Sequence, residues 1–221
     1  MAAVVLISLA VAITTLYNAG FQEERLRLIE IAQSQARLIQ VIARHNQTES
    51  RELAREQTLN QLREAHGKFK GFGKTGEFTL ASLENEQIVF QLSHRHHDLT
   101  NPHPVAFHGE EAEPMRLALQ GESGSIVGLD YRGETVLAAY EPIVGLNLGI
   151  VAKIDLEEIR APFIQAVWIT IGAAFFLIIS GAWAFQYITK PMARQIEKSE
   201  KLFRDTFSLA AMGLAHVAPD G

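Results

Sequence analysis

The sequence predicts an α+β fold: a five-stranded antiparallel sheet behind a long N-terminal helix, flanked by two membrane-crossing helices. Three observations predict it. An uncharged apolar run fills residues 163–187, and no charged residue occurs between Arg160 and Lys190. Helical spacing of apolar residues, with charges on the other face, runs through residues 22–66. Beyond Gly67, short strand-like segments separated by Gly and Asn turns replace that period.

Residues 1–18 form the first expected membrane helix. The stretch from Ala2 to Tyr17 is apolar and uncharged, at roughly 24 Å of helix. That is slightly short for a span, and no Lys or Arg precedes it as a signal peptide would require. An uncleaved helix is therefore favoured over a cleaved leader. Residues 162–189 form the second. A helix needs about 20 apolar residues to cross a hydrocarbon core, and this run exceeds that. Trp168 and Phe163 near one end, and Trp183 and Tyr187 near the other, suit interfacial depths.

Lys190, Arg194, Lys198, Lys201 and Arg204 follow the second run. Excess basic residues mark the cytoplasmic side, so residues 19–161 are expected outside, and residues 190–221 inside. The implied location is a bacterial inner (cell) membrane, crossed more than once, with the outer domain in the periplasm or outside.

In residues 22–66, Leu28, Ile31, Leu38 and Ile42 set the helical face, with Ile29, Ala32, Ala36 and Ile39 alongside. A break is expected near residues 45–50, where Asn46-Gln47-Thr48 reads as a polar loop rather than a glycosylated site. Gly73-Lys74-Thr75 resembles the end of a phosphate-binding loop, but Lys68 stands where that loop needs its first glycine, and a strand follows instead of a helix. Strands are expected over residues 77–83, 87–92, 124–131, 134–142 and 148–154, with a short helix over 111–120. Pro162 lacks an amide proton and restricts the residue before it, which predicts a helix break or fresh start at residues 161–163.

Net charge is −5, so there is no global basic field and no nucleic-acid partner is expected. The chain has no cysteine, which excludes disulfides, Cys-ligated zinc and thiol catalysis. No nucleophile elbow, closed metal motif or kinase motif occurs, so no catalytic residue is assigned, and the identity of any cofactor is unknown from the sequence.

Two groups of residues have binding chemistry. His94, His96, His97, His103 and His108 crowd together beside Asp98. Neutral imidazoles bind zinc, copper and nickel, but this spacing matches no closed motif. No metal site is expected; His94, His96 and His97 would be its ligands if one formed. The second group would face an organic ligand on the sheet face opposite the long helix. Arg95 can pair with a carboxylate, Asp130 can hold an amine, Tyr131 and Tyr140 offer hydroxyl and ring contacts, and Lys153 supplies a point charge. Together they weakly favour a carboxylate ligand. Each also has an ordinary role: Tyr140 in a core, Arg95 and Lys153 as surface cations.

The long helix, the turn Gly73-Lys74-Thr75-Gly76-Glu77 opening the first strand, the segment from Asp130 to Ile143, and the final hairpin from Ala138 to Ile159 resemble a single Cache domain. Cache domains are PAS-like extracytoplasmic sensors of bacterial receptors. The resemblance covers residues 19–161. Residues 190–203 read as a signalling helix, and residues 204–221 resemble the opening of a cytoplasmic PAS domain, interrupted at Gly221. The resemblance implies a homodimeric receptor that binds a small molecule outside and signals across the lipid bilayer, within a two-component system, to a histidine kinase. The input half of a diguanylate cyclase or phosphodiesterase is one alternative. A membrane-tethered metal-binding module using residues 94–108 is another.

Overall fold

The computed structural model describes residues 2–45, 51–66, 71–92 and 104–214. The chain divides into two units, Met1–Gln165 and Ala166–Gly221. In the first, α1 (Ala2–His45) and α2 (Arg51–His66) precede β1 (Glu77–Glu84), β2 (Gln87–Leu92) and β3 (Val105–Ala106). Then follow α3 (Glu113–Leu119), β4 (Gly124–Leu129), β5 (Thr135–Ile143), β6 (Leu148–Asp155) and the start of α4 (Leu156–Leu214).

The fold is α+β, with one antiparallel sheet in the order β3-β2-β1-β6-β5-β4. It has six strands, not the expected five. The additional strand is β3, whose two residues pair as Val105 with Ile88 and Ala106 with Gln87. Two residues are too few to establish an alternating pattern, so no period reveals such a strand. The other five strands lie within two residues of their expected bounds. The turn joining β1 to β2 has left-handed backbone at both Asn85 (φ 49°) and Glu86 (φ 60°), the geometry that matches the twist of a two-residue hairpin.

Strands β1 and β6 pair at the middle of the sheet, Glu77 opposite Lys153 and Leu80 opposite Ile150. Both are buried along most of their length because helices cover both faces. On one face, Leu28, Ala32, Ala36 and Ile39 of α1, with Leu59 and Leu62 of α2, pack on Phe78, Leu80, Leu137, Ile150 and Ala152. On the other, Met115 and Ala118 of α3 pack on Ala81, Ile88, Phe90, Ala138 and Val151. Gly149 permits this second contact: a Cβ there would stand 2.9 Å from the Ala118 Cβ and 3.0 Å from the Met115 sulfur.

The buried stripe of α1 differs from the expected one. Leu38 is 48% exposed, whereas the small Ala32 and Ala36 are buried. The apolar residues of α1 wrap far enough to permit either face. The alanines win because they let the helix axis approach the sheet.

The break expected at Ala161–Phe163 does not occur. Helix α4 begins at Leu156, directly after β6, and runs through Pro162 without interruption. Proline there removes one backbone hydrogen bond and crowds the carbonyl four residues back, at a cost of about 3 kcal/mol. A helix of 59 residues has bonds enough on both sides to carry that loss. At its C-terminal end α4 includes residues 211–214, expected as an opening strand; residues 215–221 lie outside the described residues.

Within the second unit α4 exposes Trp168, Phe175, Phe176, Trp183 and Phe185. Three hydroxyls donate along the helix itself: Thr170 to the Ala166 carbonyl, Ser180 to Leu177 and Thr189 to Phe185. Trp183 and Tyr187 stack with ring centroids 5.7 Å apart. By length and composition, Leu156–Thr189 can cross a membrane, and it is the one such helix among the described residues. The first expected span is the opening of α1, a helix that continues without interruption into the domain. Its Val4, Ile7, Val11 and Leu16 side chains are exposed. The two helices meet at Tyr17, whose ring stands edge-on to Phe163 with centroids 5.3 Å apart.

Candidate functional site

The α3 face of the sheet holds a buried cluster of charges. Strand alternation explains its placement. Glu77, Thr79 and Ala81 on β1 share one face, as do Val151 and Lys153 on β6, while Phe78, Leu80, Ala152 and Ile154 face α1. Lys153 opposes Glu77 in the register and is only 2% exposed. Its ammonium lies 2.8 Å from the Glu77 carboxylate, in close contact with the Asp130 carboxylate, and 4.3 Å from the centre of the Tyr131 ring. The Tyr131 hydroxyl donates to Glu77 at 2.9 Å.

The sequential residues Asp130, Tyr131 and Arg132 leave β4 in the turn to β5, which brings three functional groups to one corner. Asp130 Oδ1 accepts from the backbone N–H groups of Arg132 (2.7 Å) and Glu134 (3.1 Å). Its Oδ2 accepts from Arg132 Nε at 2.7 Å, and the same guanidinium reaches Asp155 at 2.5 Å. Burial pushes the Asp130 carboxyl up, but the charge and hydrogen bond of Lys153 and the hydrogen bonds of Arg132 outweigh it and hold the group below its ordinary range. Burial lowers the Arg132 guanidinium, yet Asp130 and Asp155 more than compensate and its pKa is raised. A buried charge is tolerated only when paired and hydrogen-bonded, and each charge here is.

Phe90 and Tyr131 pack with centroids 4.9 Å apart, and Ala112, Pro114 and Met115 lie above the cluster. The cavity beneath them measures about 10 Å³, room for about one water. A larger molecule reaches Lys153 only if α3 and the turn before it move. A carboxylate entering there would compete with Glu77 and Asp130 for the ammonium. An amine would compete with Lys153 for the carboxylates.

Of the expected ligand residues, Asp130, Tyr131 and Lys153 come together. Lys153 is not the surface cation of its ordinary role. Tyr140 is buried on the same face, opposite Val151, with its hydroxyl over Gly124, and it does not line the cavity. Arg95 lies outside the described residues, as do His94, His96, His97 and His103. His108 is exposed, 3.3 Å from Glu86. Among the described residues no three His, Cys, Asp or Glu side chains gather as metal ligands.

Sequence reasoning missed Glu77, Arg132 and Asp155, and it assigned no role to Glu158. Glu158 instead accepts from the backbone of Lys74 and Thr75 and from the Thr75 hydroxyl, and that hydroxyl accepts from the Asp155 N–H at 3.0 Å. The available signals were local. Glu77 shares strand parity with Thr79, and Arg132 follows two residues already suspected. The chain therefore links the buried ammonium to the root of α4 through Asp130, Arg132, Asp155, Thr75 and Glu158. Comparison with known proteins yields no match, whether to a family model, a curated protein or a solved structure.

Proposed function

We propose that this chain is the sensory half of a transmembrane receptor with a Cache-like, PAS-type outer domain. Residues 19–161 bind a small molecule outside the membrane, α1 and α4 both cross it, and α4 delivers the signal to an output module inside. One observation carries the reading: β6, which bears the buried Lys153, passes directly into α4, the helix that can cross a membrane. The uncharged, exposed opening of α1 beside α4 at Tyr17 and Phe163 supports a second crossing. The basic residues from Lys190 to Arg204 support the inward placement of the C-terminal end.

In this reading the ligand, a carboxylate by preference, enters beneath α3, takes up the Lys153 ammonium and displaces one of its carboxylates. Asp130 is held by Arg132, and Arg132 by Asp155, so the displacement is felt at the first turn of α4. Signalling requires that the ligand bind the two arrangements unequally, and exchange of ion-pair partners supplies that inequality. The receptor works as a homodimer, and its output is a histidine kinase, with a diguanylate cyclase or phosphodiesterase as the alternative. Topology reporters fused at Gly121 and Ser199 test the frame. They are expected to give opposite signals; a cytoplasmic signal at Gly121 overturns the proposal.

A further inference from the structure

The cover over the charged cluster is built as one piece. It runs from Phe107 to Leu119, a loop followed by α3, and it sets Ala112, Pro114 and Met115 over the cavity beside Lys153. One side chain binds the loop to the helix. Arg116, on α3, donates from Nη1 to the carbonyls of Gly109 at 2.6 Å and Glu111 at 3.1 Å, with the Phe107 carbonyl at 3.4 Å. The guanidinium serves carbonyls of a loop that has no strand ladder to serve them, so loop and helix hold together.

Several features make this cover movable rather than a fixed layer of core. Helix α3 has seven residues, too few to persist without its contacts. The cover is tied to the sheet by main-chain bonds from the Phe107 N–H to the Glu86 carbonyl (3.0 Å) and from the Ala112 N–H to the Asp130 carbonyl (3.1 Å). Ala112 makes its bond in left-handed backbone (φ 55°), which disfavours a residue with a Cβ, and it caps α3 without a side-chain hydrogen bond. At the far end Gly121 is left-handed (φ 89°), and no atom of the described residues lies within 4 Å of where a Cβ would stand, which leaves room for a pivot. We propose that residues 107–119 are a lid that lifts as a unit from Lys153, turning at Gly121 and releasing the strained Ala112. Asp130 joins lid to cluster: its carboxylate faces Lys153 while its carbonyl holds the lid shut. The lid supplies the entrance that the ligand reading above needs, and it rests on that reading only for what it admits.

The test is thiol labelling of the full chain in lipid nanodiscs with a small aromatic disulfide. The chain has no cysteine, so one introduced thiol reports on its own position. Val151→Cys places it under the lid, and Ala139→Cys places it on the α1 face as the reference for global unfolding. Val151→Cys is expected to label at least about tenfold faster than Ala139→Cys, at a rate nearly independent of urea below the unfolding transition, because a local opening exposes little surface. Adding Arg116→Gln is expected to speed that labelling about tenfold, the loss of a charged hydrogen bond. Adding Ala112→Gly, which suits the left-handed cap, is expected to slow it about fivefold. Ala139→Cys in the same backgrounds shows that the domain stays folded. Equal rates for the two thiols, with the same urea dependence, mean that only global unfolding uncovers the cluster, and they overturn the lid. So does Val151→Cys labelling that neither Arg116→Gln nor Ala112→Gly changes. Labelling needs no ligand, so failure of the lid and failure of the sensory reading are seen in separate experiments.

Discussion

The Glu158 carboxylate and Thr75 are joined twice: Oε2 accepts from the Thr75 hydroxyl at 2.6 Å and from its backbone N–H at 2.7 Å. The Lys74 N–H adds a third bond, to Oε1. Gly73 makes room for the pair, since a Cβ there would stand 2.7 Å from Oε1 and the backbone is left-handed (φ 59°). The turn that opens β1 is thereby tied to the first turn of α4.

That tie gives a pH dependence of defined sign. Burial raises the Glu158 carboxyl, and the hydrogen bonds from Thr75 and Lys74 overcome this and lower it. The unfolded carboxyl titrates near about 4.3. A depressed folded value means that the contribution is fully present above that pH and lost as pH falls through the folded pKa. Asp130 acts in the same direction. Glu158→Gln is expected to lower stability at neutral pH by about 1–2 kcal/mol and to make the acid limb shallower. Melting temperature followed from pH 7 to pH 3 checks it; an unchanged acid limb would contradict the assigned role.

The charged cluster predicts an asymmetry between removing one charge and removing all three. Lys153→Met removes the ammonium that the buried Glu77 and Asp130 carboxylates both face and is expected to cost about 3–5 kcal/mol. The triple variant Lys153→Met, Glu77→Gln, Asp130→Asn leaves no unpaired charge there and keeps the Oδ1 acceptor of the turn. It is expected to be more stable than the single variant. Chemical denaturation of both measures the difference, and a triple variant less stable than Lys153→Met refutes the pairing argument.

The β1–β2 turn offers a stabilising change. Glu86 holds left-handed backbone, which disfavours a residue with a Cβ, and its contact with His108 is between two exposed groups. Glu86→Gly creates the Asn-Gly pair that suits this turn and is expected to add about 0.5–1 kcal/mol. The denaturation midpoint is the measurement, and a fall in stability would show that the His108 contact outweighs the backbone.

The proposed transmission through α4 predicts the effect of an insertion. Two glycines between Ile159 and Arg160 weaken the helix just beyond the Glu158 tie. In a receptor of the kind proposed above, ligand binding is expected to persist while ligand-dependent output is lost. Output of unchanged amplitude would move the signal route to α1.

The legible parts of this fold were those with a period or a turn to declare them. Five strands followed from alternation and Gly- or Asn-bearing turns, whereas β3 owes its existence to an edge left open by β2. For α1, one sequence carried two usable faces, and only the sheet's need for close approach chose Ala32 and Ala36 over Leu38. Of the site, Asp130, Tyr131 and Lys153 stood out by residue type. Glu77 did not, because an acidic residue at a strand's first position ordinarily faces solvent, and its burial beside Lys153 follows from the register of the sheet. Pro162 misled for the opposite reason: a local rule about one residue yielded to the continuity of a long helix.

No residue separates Asp155, the end of β6, from Leu156, the start of α4. This removes a degree of freedom. A slip of β6 by one position would exchange Lys153 for Ile154 on the α3 face, placing an aliphatic chain among carboxylates and an ammonium against α1. The same slip would pull Leu156 and Ile159 from the core. Sheet and helix root therefore behave as one lever, able to tilt or shift as a body but unable to change gear.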